Sequence, residues 1–386
     1  MRIIAAPDSY KGSLSALEAA GAIEKGVLSV FPEAQVDKVP VADGGEGTAE
    51  ALVTASGGRL LRERVMGPLG EPVEAYWGLL GDGRTGVIET AAASGLPLVP
   101  ADRRNPALTT TYGTGELIRA ALEHGVRKLI IGLGGSATND GGAGLLQALG
   151  VRFLDGAGEE LPQGGAALAR LARIDAAGLD PRLAECAIRV ACDVDNPLCG
   201  PRGASAVFGP QKGASMEMVA QLDSALQRFA EAAHRAAGRQ AAELPGAGAA
   251  GGLGAGLLYF TEAELTPGIR LVLEAAEFER KLQGADLVIT GEGATDAQTA
   301  FGKAPVGVAQ IARQYGVPVV CLSGSLGPGS GDVLEQGIGA LMSIVPGPMP
   351  LQECIASAPV LVEEAAARLC RLLRVGMKLG GAERSR

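Results

Sequence analysis

Eight acidic residues lie in short loops that are rich in glycine or turn-forming residues and follow apolar segments: Asp8, Asp43, Glu46, Asp140, Asp193, Asp195, Glu292 and Asp296. Carboxylates can bind a hard cation such as Mg²⁺ together with phosphate oxygens, and one carboxylate can accept the proton of an alcohol that attacks phosphorus. For Asp8, Asp140 or Asp296 taken singly, capping of a helix N-terminus is an equally good interpretation. As a group, the eight acids favour a site for chemistry.

Three lysines lie beside glycine in loops of similar texture: Lys11 in PDSYKGS, Lys212 in GPQKG and Lys303 in FGKAP. A phosphoryl group in transfer needs cationic neighbours of this kind, although each lysine alone fits a solvated surface position as well. Ala304 follows Lys303 where a P-loop requires serine or threonine, so Walker chemistry is excluded. Any phosphate site therefore uses another glycine-loop design.

The loop after the apolar segment KLII contains a pattern typical of dinucleotide-binding proteins. Gly132, Gly134 and Ala137 match G-x-G-x-x-A, and Asp155 ends the next predicted strand about twenty residues further on. Asp140 argues against this reading, because it would place a carboxylate where a pyrophosphate needs backbone N–H groups. An NAD(P)-dependent oxidoreductase and a non-catalytic small-ligand-binding protein remain open alternatives.

Histidine and cysteine chemistry is disfavoured. The two histidines, His124 and His234, have no spacing to cysteine that suits zinc, and the six cysteines form no CxxC pair. His124 ends a predicted helix, where the helix dipole favours it, and His234 lies on a long predicted helix. Without a histidine base, a Ser-His-Asp hydrolase is unlikely on chemical grounds.

The elements that would position these side chains alternate between strand and helix. Four apolar runs are typical of parallel strands that are covered on both faces: RIIAA, KLIIGL, ADLVIT and VPVVCL. Each run opens at its carboxyl end into glycine with acidic, hydroxyl or amide residues, and that edge of an open parallel sheet is where ligands bind. Ser15 and Glu18 form a capping-box pattern that predicts a helix after the first strand. The sequence therefore predicts an α/β fold.

A change of pattern near residue 67 indicates a domain boundary. EPVEAYWGLLGDGRTGVIET predicts an antiparallel hairpin that turns at Asp82 and Gly83. The length of 386 residues also favours two domains.

Composition limits the partners and the compartment. The net charge is −9 and no basic block is present, so a nucleic-acid partner is not expected. The sequence contains no apolar run of membrane-spanning length and no secretion signal, so we expect a cytoplasmic protein with no membrane partner. The 58 glycines, about twice the usual share of roughly 7%, indicate many tight turns and close backbone approaches.

Together, seven segments in order resemble the class I bacterial glycerate kinases, and the resemblance runs from Arg2 to about Val345. The segments are APDSYKGSLSA (6–16), PVADGGEGT (40–48), TTTYGTGELI (109–118), IGLGGSATNDGGAG (131–144), CDVDNPL (192–198), FGPQKGA (208–214) and GEGATDAQTAFGKAP (291–305). The chain departs from the usual GEGRIDxQT pattern at Ala294 and Thr295, which replace arginine and isoleucine. If the missing arginine binds the substrate carboxylate or a phosphate, affinity or substrate choice should differ here.

The resemblance implies two α/β domains and a kinase activity. One domain, 1–66 with 285–386, would be doubly wound and flavodoxin-like with a mostly parallel sheet. The other, 67–284, would be a mixed α/β domain with an antiparallel hairpin, similar to restriction enzymes. The implied reaction is ATP-dependent phosphorylation of D-glycerate with Mg²⁺, at the 2-hydroxyl in preference to the 3-hydroxyl. A homodimer is an open alternative to a monomer.

The same resemblance, read with the loop chemistry, yields hypotheses for individual residues. The catalytic set has Asp296 as first choice for the base and Asp43 as second, and adds Lys11 and Lys303. The nucleotide set is Gly134, Gly135, Ser136, Asn139, Gly141, Lys212, Gly291 and Gly293. The substrate set is Asp8, Ser9, Asn196, Gln298 and Thr299. The metal ligands are Asp193 and Asp195.

Overall fold

The structure is a computed structural model that describes residues 1–42, 44–45 and 47–383. The chain divides into two compact units. The first unit comprises Met1–Asp43 and Val272–Arg386, and the second comprises Gly44–Leu271. The first unit therefore includes both ends of the chain.

The strands and helices alternate along much of the chain. The strands are β1 (Arg2–Pro7), β2 (Gln35–Lys38), β3 (Arg59–Met66), β4 (Pro72–Leu79), β5 (Thr85–Glu89), β6 (Lys128–Gly132), β7 (Arg152–Leu154), β8 (Arg173–Asp175), β9 (Ala187–Ala191), β10 (Glu264–Thr266), β11 (Leu287–Thr295), β12 (Val319–Leu326) and β13 (Ala340–Ser343). The helices are α1 (Ala16–Leu28), α2 (Thr48–Ser56), α3 (Thr90–Ser94), α4 (Tyr112–Glu123), α5 (Ala143–Ala148), α6 (Ala204–Phe208), α7 (Met216–Ala237), α8 (Ala249–Phe260), α9 (Gly268–Ala275), α10 (Phe278–Leu282), α11 (Ala304–Gln314), α12 (Leu351–Ala356) and α13 (Ala358–Glu383).

The sheet of the first unit is entirely parallel, in the order β13-β12-β11-β1-β2. Counted within this unit alone, the order is 2-1-3-4-5, which is the flavodoxin-like doubly wound arrangement. The predicted fold class is confirmed. The strand order reverses between β1 and β11, so the carboxyl ends of these two strands flank the crevice in which such sheets bind ligands.

The first helix shows how local sequence builds this unit. The Ser15 side chain accepts a hydrogen bond from the backbone N–H of Glu18, and the Glu18 side chain accepts one in return, so the predicted capping box is present. A Cβ atom at Gly26 would overlap the carbonyl oxygen of Glu363, so this glycine allows α1 and α13 to pack closely. Ile3, Ile23 and their neighbours fill a core that is continuous with the inner face of α13.

The second unit contains a six-stranded mixed sheet in the order β10-β9-β6-β5-β4-β3. Strands β5, β6, β9 and β10 are parallel, whereas β3, β4 and β5 form an antiparallel meander. The predicted hairpin between β4 and β5 is confirmed. Its turn is fixed by the Asp82 carboxylate, which accepts hydrogen bonds from the backbone N–H groups of Arg84 and Thr85.

The division between the units differs from the predicted boundaries after residues 66 and 284. β3 pairs along its whole length with β4, so it belongs to the second unit, and the later division falls within α9. Half of the residues of RLLRERVM in β3 are exposed and three are arginines, so its composition did not indicate a strand. Among the described residues, no helix is both long and apolar enough to cross a bilayer.

Candidate active site

The loops that follow β1 and β11 are joined at the switch point of the first unit. Pro7 lies opposite Gly291, and the backbone N–H of Asp8 donates to the carbonyl oxygen of Gly291 at 2.8 Å. The Asp8 carboxylate is buried and accepts from the N–H of Ser9 at 2.6 Å. The hydroxyl of Tyr10 reaches across to the Leu322 carbonyl oxygen at 2.7 Å. These bonds fix the loop that carries Asp8, Ser9 and Lys11 against β11 and β12.

Glu292 is the buried carboxylate at this edge, with only 7% of its surface exposed. Its Oε1 atom accepts hydrogen bonds from the Thr295 hydroxyl at 2.9 Å and the Thr299 hydroxyl at 2.8 Å. Burial raises the pKa of Glu292 above its ordinary value, while the two threonine hydroxyls and the nearby Lys303 charge oppose that rise. The sequence grouped Glu292 with the loop acids but gave it no role.

A hydroxyl chain extends from Glu292 into the ends of β11 and β12. The oxygens of Thr295 and Ser323 are 2.7 Å apart, and Ser323 lies 3.4 Å from the Cys321 sulfur. Because the Thr295 hydroxyl donates to Glu292, it receives its second hydrogen bond from Ser323. Burial raises the pKa of Cys321 to about 12, so the thiol is neutral near pH 7. Thr295 therefore supports the carboxylate, whereas Ala294 is exposed.

The other predicted residues of this edge are less enclosed. Asp296 is half-buried, and its Oδ1 atom accepts from the N–H of Gln298 at 2.8 Å. Gln298 and Lys11 are exposed, and Lys303 immediately precedes α11. Their assigned roles stay predictions.

The second-choice base and one further acid lie outside this description. Asp43 and Glu46 are not among the described residues, so the role assigned to Asp43 stays a prediction.

Gly291 and Gly293, predicted to bind nucleotide, have packing reasons to be glycine. A Cβ atom at Gly291 would overlap the Leu322 carbonyl oxygen, and one at Gly293 would lie 3.3 Å from the backbone nitrogen of Lys11. Close approach of neighbouring strands therefore explains Gly291 without a ligand.

The glycine-rich loop after β6 packs on another glycine-rich loop of the second unit. A Cβ atom at Gly132 would overlap the carbonyl oxygen of Gly44, and one at Gly134 would lie 2.8 Å from the Cα atom of Gly45. Gly135 and Gly141 adopt positive φ angles of 74° and 63°. Close contact between the two backbones, and not only contact with a phosphate, therefore explains why several positions of the loop after β6 are glycine.

Asp140 organises this loop from the inside. Its Oδ2 atom accepts from the Thr111 N–H and hydroxyl and from the Gly144 N–H, and its Oδ1 atom accepts from the Gly142 N–H. Burial raises the pKa of Asp140, and these hydrogen bonds oppose the rise. The carboxylate thus satisfies one backbone N–H in the first turn of α5, although Gly142 and not Asp140 is the N-cap residue of this helix.

Lys212 crosses to the same loop, and only 2% of its surface is exposed. Its Nζ atom donates to the Ser136 hydroxyl at 2.9 Å and to the Thr138 carbonyl oxygen at 2.7 Å. Burial lowers the pKa of Lys212 to about 7, although the Asp140 charge opposes this shift. Ser136 and Lys212, both predicted to bind nucleotide, are therefore brought together and are paired with each other.

Asn139, from the same predicted set, is also buried in the second unit. Its amide nitrogen donates to the Ser205 hydroxyl at 2.9 Å, whereas its Oδ1 atom and the Thr138 hydroxyl have no hydrogen-bond partner. A buried amide oxygen without a partner is unusual in a folded protein.

We expect Lys212→Met to remove a pH dependence of stability. The folded chain binds the Lys212 proton only below about pH 7, whereas the unfolded chain binds it below about 10.5. Between these values the unfolded state holds the extra proton, so this lysine destabilises the fold progressively as pH falls from about 10.5 to about 7. The difference in melting temperature, parent minus K212M, should therefore be larger at pH 9 than at pH 7.

Differential scanning calorimetry at both pH values measures this change, and Lys378→Met, which removes an exposed lysine, is the control. A parent-minus-K212M difference that is equal at the two pH values, or smaller at pH 9, would contradict the burial argument.

The predicted metal ligands are already engaged by protein groups. Asp193 Oδ1 accepts from the Gly268 N–H at 2.9 Å, at the start of α9, and Asp195 Oδ2 pairs with the Arg202 guanidinium at 2.9 Å. The Asp195 side chain is 75% exposed. Asn196, predicted to bind substrate, donates to the Arg202 carbonyl oxygen. The assignment of Asp193 and Asp195 as metal ligands therefore stays a prediction.

Among the described residues, no larger group of metal-binding side chains replaces the predicted pair of aspartates. Across the part of the chain that the structure describes, no three His, Cys, Asp or Glu side chains are grouped closely enough to hold a metal ion together.

Glu89 is a buried acid that the sequence did not single out. It ends β5, 2% exposed, and accepts from the N–H of Ala49 at 2.6 Å and from the Tyr76 hydroxyl at 3.2 Å. It therefore satisfies the first turn of α2. The sequence signal that could have identified Glu89 is its position at the end of an apolar strand.

The fold and the site together define a class of protein. A doubly wound parallel sheet with a buried carboxylate, a hydroxyl chain and nearby lysines at its switch point is typical of an α/β enzyme that acts on a small polar substrate.

Comparison with known proteins gives the particular family. The model of the glycerate kinase family matches residues 3–374. A glycerate kinase of Bacillus subtilis (strain 168) is 57% identical over 375 residues, which cover 97% of this chain and 98% of that protein. A glycerate 2-kinase of Escherichia coli (strain K12) is 51% identical over 381 residues, covering 99% and 100%.

A crystal structure from Salmonella typhimurium LT2, provisionally assigned as glycerate kinase 2, matches with a TM-score of 0.90 and 51% identity, covering 98% of this chain and 99% of that one. The chain belongs to the glycerate kinase family. The resemblance seen in the seven segments is confirmed, and the oxidoreductase alternative based on Gly132–Ala137 is not supported.

Proposed function

We propose that this enzyme transfers the γ-phosphoryl group of ATP to the 2-hydroxyl of D-glycerate, which yields 2-phosphoglycerate and ADP. The observation that carries this proposal is the match to the glycerate kinase family over residues 3–374, which includes both switch-point loops. The choice of the 2-hydroxyl rests on the Escherichia coli relative, which is named a glycerate 2-kinase and aligns over its whole length.

In the first unit, the substrate would bind at the carboxyl ends of β1 and β11. Lys11 and Lys303 supply positive charge for a carboxylate or a phosphoryl group, and Ser9 and Gln298 supply hydrogen-bonding groups. Thr299 is buried and its hydroxyl already donates to Glu292, so we assign it to the support of that carboxylate. Asp8 has a similar local role, because it accepts from the N–H of Ser9.

In the second unit, the loop 134–141 is our candidate for nucleotide phosphates. Its backbone N–H groups are the elements suited to phosphate oxygens, since Asp140 and the Lys212 amine are already bonded within the unit. The N–H groups of Ala137 and Gly141 are exceptions, because they donate to the carbonyl oxygens of Ser94 and Gly251. Lys212 would act chiefly by holding the loop in shape. Gly134, Gly135 and Gly141 would supply the flexibility and close approach that such a loop needs.

We further propose that Mg²⁺ enters with the nucleotide. Mg²⁺ in such enzymes is held by one or two carboxylates and by substrate phosphates, so it does not need a cluster of three protein ligands, and the described residues form none. Bound Mg²⁺ would neutralise charge on the ATP phosphates. Asp193 and Asp195 remain the candidate protein ligands, although one oxygen of each already accepts from the Gly268 N–H or the Arg202 guanidinium.

The experiment is a coupled assay for ADP with purified protein, ATP and D-glycerate. We expect ADP release that requires both D-glycerate and Mg²⁺ and stops when EDTA is added in excess. L-Glycerate and D-lactate are controls for the position and configuration of the hydroxyl groups. Binding of D-glycerate without ADP release would favour a non-catalytic ligand-binding protein, and ADP release that is independent of glycerate would contradict the proposed acceptor.

A further inference from the structure

We infer that Glu292 is the catalytic base that takes the proton from the attacking glycerate hydroxyl, and that Thr299 and Thr295 are the residues that position it. This inference rests on the proposed function and names the proton acceptor within the same site. It replaces Asp296, which was the first choice from the sequence.

The position of Glu292 in the fold is the first argument. The residue lies near the carboxyl end of β11, the central strand of the five-stranded sheet, which pairs with β1 on one side and with β12 on the other. β1 and β11 are the two strands between which the order of the sheet reverses. Ligands of open α/β sheets bind outside the carboxyl ends of such strands.

The two carboxylate oxygens of Glu292 have different surroundings. Oε1 is held by the Thr295 and Thr299 hydroxyls, whereas Oε2 accepts no hydrogen bond from any described residue. Oε2 is also not among the buried side-chain atoms that lack a partner, so it keeps some solvent-accessible surface. One oxygen is thus anchored, and the other is available to a substrate hydroxyl.

The charge environment of Glu292 suits a base. Burial raises the pKa of Glu292, which makes the carboxylate a stronger proton acceptor than an exposed glutamate. Among the described residues, the titratable groups that interact electrostatically with it are Tyr10, Cys321, Lys303 and Asp296. Burial raises the pKa of both Tyr10 and Cys321, so near neutral pH neither side chain adds a negative charge beside Glu292.

Asp296 is less suited to the same task. It is half-buried, and its Oδ1 atom accepts from the N–H of Gln298 within its own turn. The Asp296 N–H also points to the Thr299 hydroxyl at 3.3 Å, so this segment closes around Glu292. The turn from Asp296 to Thr299 therefore serves to place the Thr299 hydroxyl on Oε1.

The proposed step balances in atoms and charge. The hydroxyl oxygen of glycerate forms a bond to the γ-phosphorus as the bond from that phosphorus to the β,γ-bridging oxygen breaks, and ADP leaves with the electron pair. The hydroxyl proton passes to Oε2 of Glu292. Glu292 then returns this proton to water after the product has left.

The test compares Glu292→Gln with Asp296→Asn and with a control, Glu335→Gln, which neutralises an exposed acid of the first unit. Gln keeps an oxygen that can accept from both threonines and replaces only the open oxygen by NH₂. We expect E292Q to lower kcat by about 10²–10³-fold with little change in KM. D296N should stay at least tenfold more active than E292Q, and E335Q should match the parent.

Stability and pH profiles separate a base from a structural residue. A carboxyl whose folded pKa is raised destabilises the fold above that pKa, so E292Q should melt at or above the parent temperature at pH 7.5. The parent kcat should fall at low pH as Glu292 becomes protonated. Thr299→Val removes a hydrogen bond that lowers the Glu292 pKa. The acidic limb of the kcat–pH profile, along which kcat falls, should therefore move to higher pH in this variant.

The outcomes are distinguishable from failure of the proposed function. If the parent forms no phosphoglycerate, the proposed function itself is wrong. If the parent is active and E292Q keeps its kcat within fivefold, or D296N loses more than E292Q, Glu292 is not the base. An acidic limb that T299V leaves unmoved, or a large drop in the melting temperature of E292Q, would overturn the assignment in the same way.

Discussion

Replacement of Asp140 by alanine should lower the free energy of unfolding by more than about 3 kcal/mol. The carboxylate accepts from three backbone N–H groups and from the Thr111 hydroxyl in a fully buried position. Each buried donor that loses its partner costs about 1–3 kcal/mol, and alanine offers no acceptor to any of them. Lys212 would also lose the nearby negative charge that opposes the fall in its pKa.

Urea denaturation followed by circular dichroism measures the effect of D140A. Asp155→Ala is the matched control, because the Asp155 carboxylate also accepts from two backbone N–H groups, those of Ala157 and Glu159, but does so at the surface, where water can replace it. We expect D155A to cost less than about 1 kcal/mol. If D140A is no more damaging than D155A, Asp140 does not organise the loop.

Substitution of Gly132 by valine should separate two loops of the second unit. A side chain at this position would overlap the carbonyl oxygen of Gly44, and the backbone cannot yield easily because Gly132 pairs with Glu89 on one side and Ala191 on the other. Overpacking of this kind costs about 1–3 kcal/mol, and we expect the upper part of that range. Activity should fall with stability, because the loop 134–141 begins two residues after Gly132.

Gly156→Val provides the comparison for G132V. A Cβ atom at Gly156 would meet nothing within 4 Å, and its φ angle is not in the left-handed region. We expect G156V to unfold at the same urea concentration as the parent and to keep full activity. An equally stable G132V would show that the contact with Gly44 is not a constraint.

Much of the fold could be predicted because its signals are local. The run RIIAA, the Ser15–Glu18 capping box and the Asp82 turn each depend on residues that are adjacent or nearly adjacent in sequence. Strand β3 was missed because its exposed arginines and glutamate satisfy no simple strand pattern, and its pairing with β4 defines it only in three dimensions. The boundary between the units therefore differed from the predicted one.

The site was harder to predict than the fold because its roles depend on contacts between distant segments. Sequence patterns could group Asp140, Asp193 and Glu292 as acids in loops, but they could not show that the three residues have different contacts. Asp140 accepts from the first turn of α5, Asp193 accepts from Gly268, and Glu292 is anchored by Thr299. The environment of Glu292 depends on the hydroxyls of Thr295, at the end of the same strand, and of Thr299, which reaches it only after the chain turns back at Asp296. Residue type alone did not distinguish Glu292 from Asp296.

Lys212 shows the same limit for basic residues. Its neighbouring glycines indicated a loop lysine that could face a phosphate, but its amine is buried against Ser136 and the Thr138 carbonyl oxygen of the second unit. The partners lie more than seventy residues away along the chain. Only the folded unit reveals that this lysine supports the loop from inside.

The most direct test of the account is the identity of the product formed from D-glycerate and ATP with Mg²⁺, read by proton-coupled ³¹P NMR. Phosphorus on the 2-oxygen couples to the single proton of the neighbouring carbon, so we predict a doublet from 2-phosphoglycerate beside the ADP signals. A triplet from phosphorus on the CH₂ carbon of 3-phosphoglycerate, or inorganic phosphate alone, would contradict it.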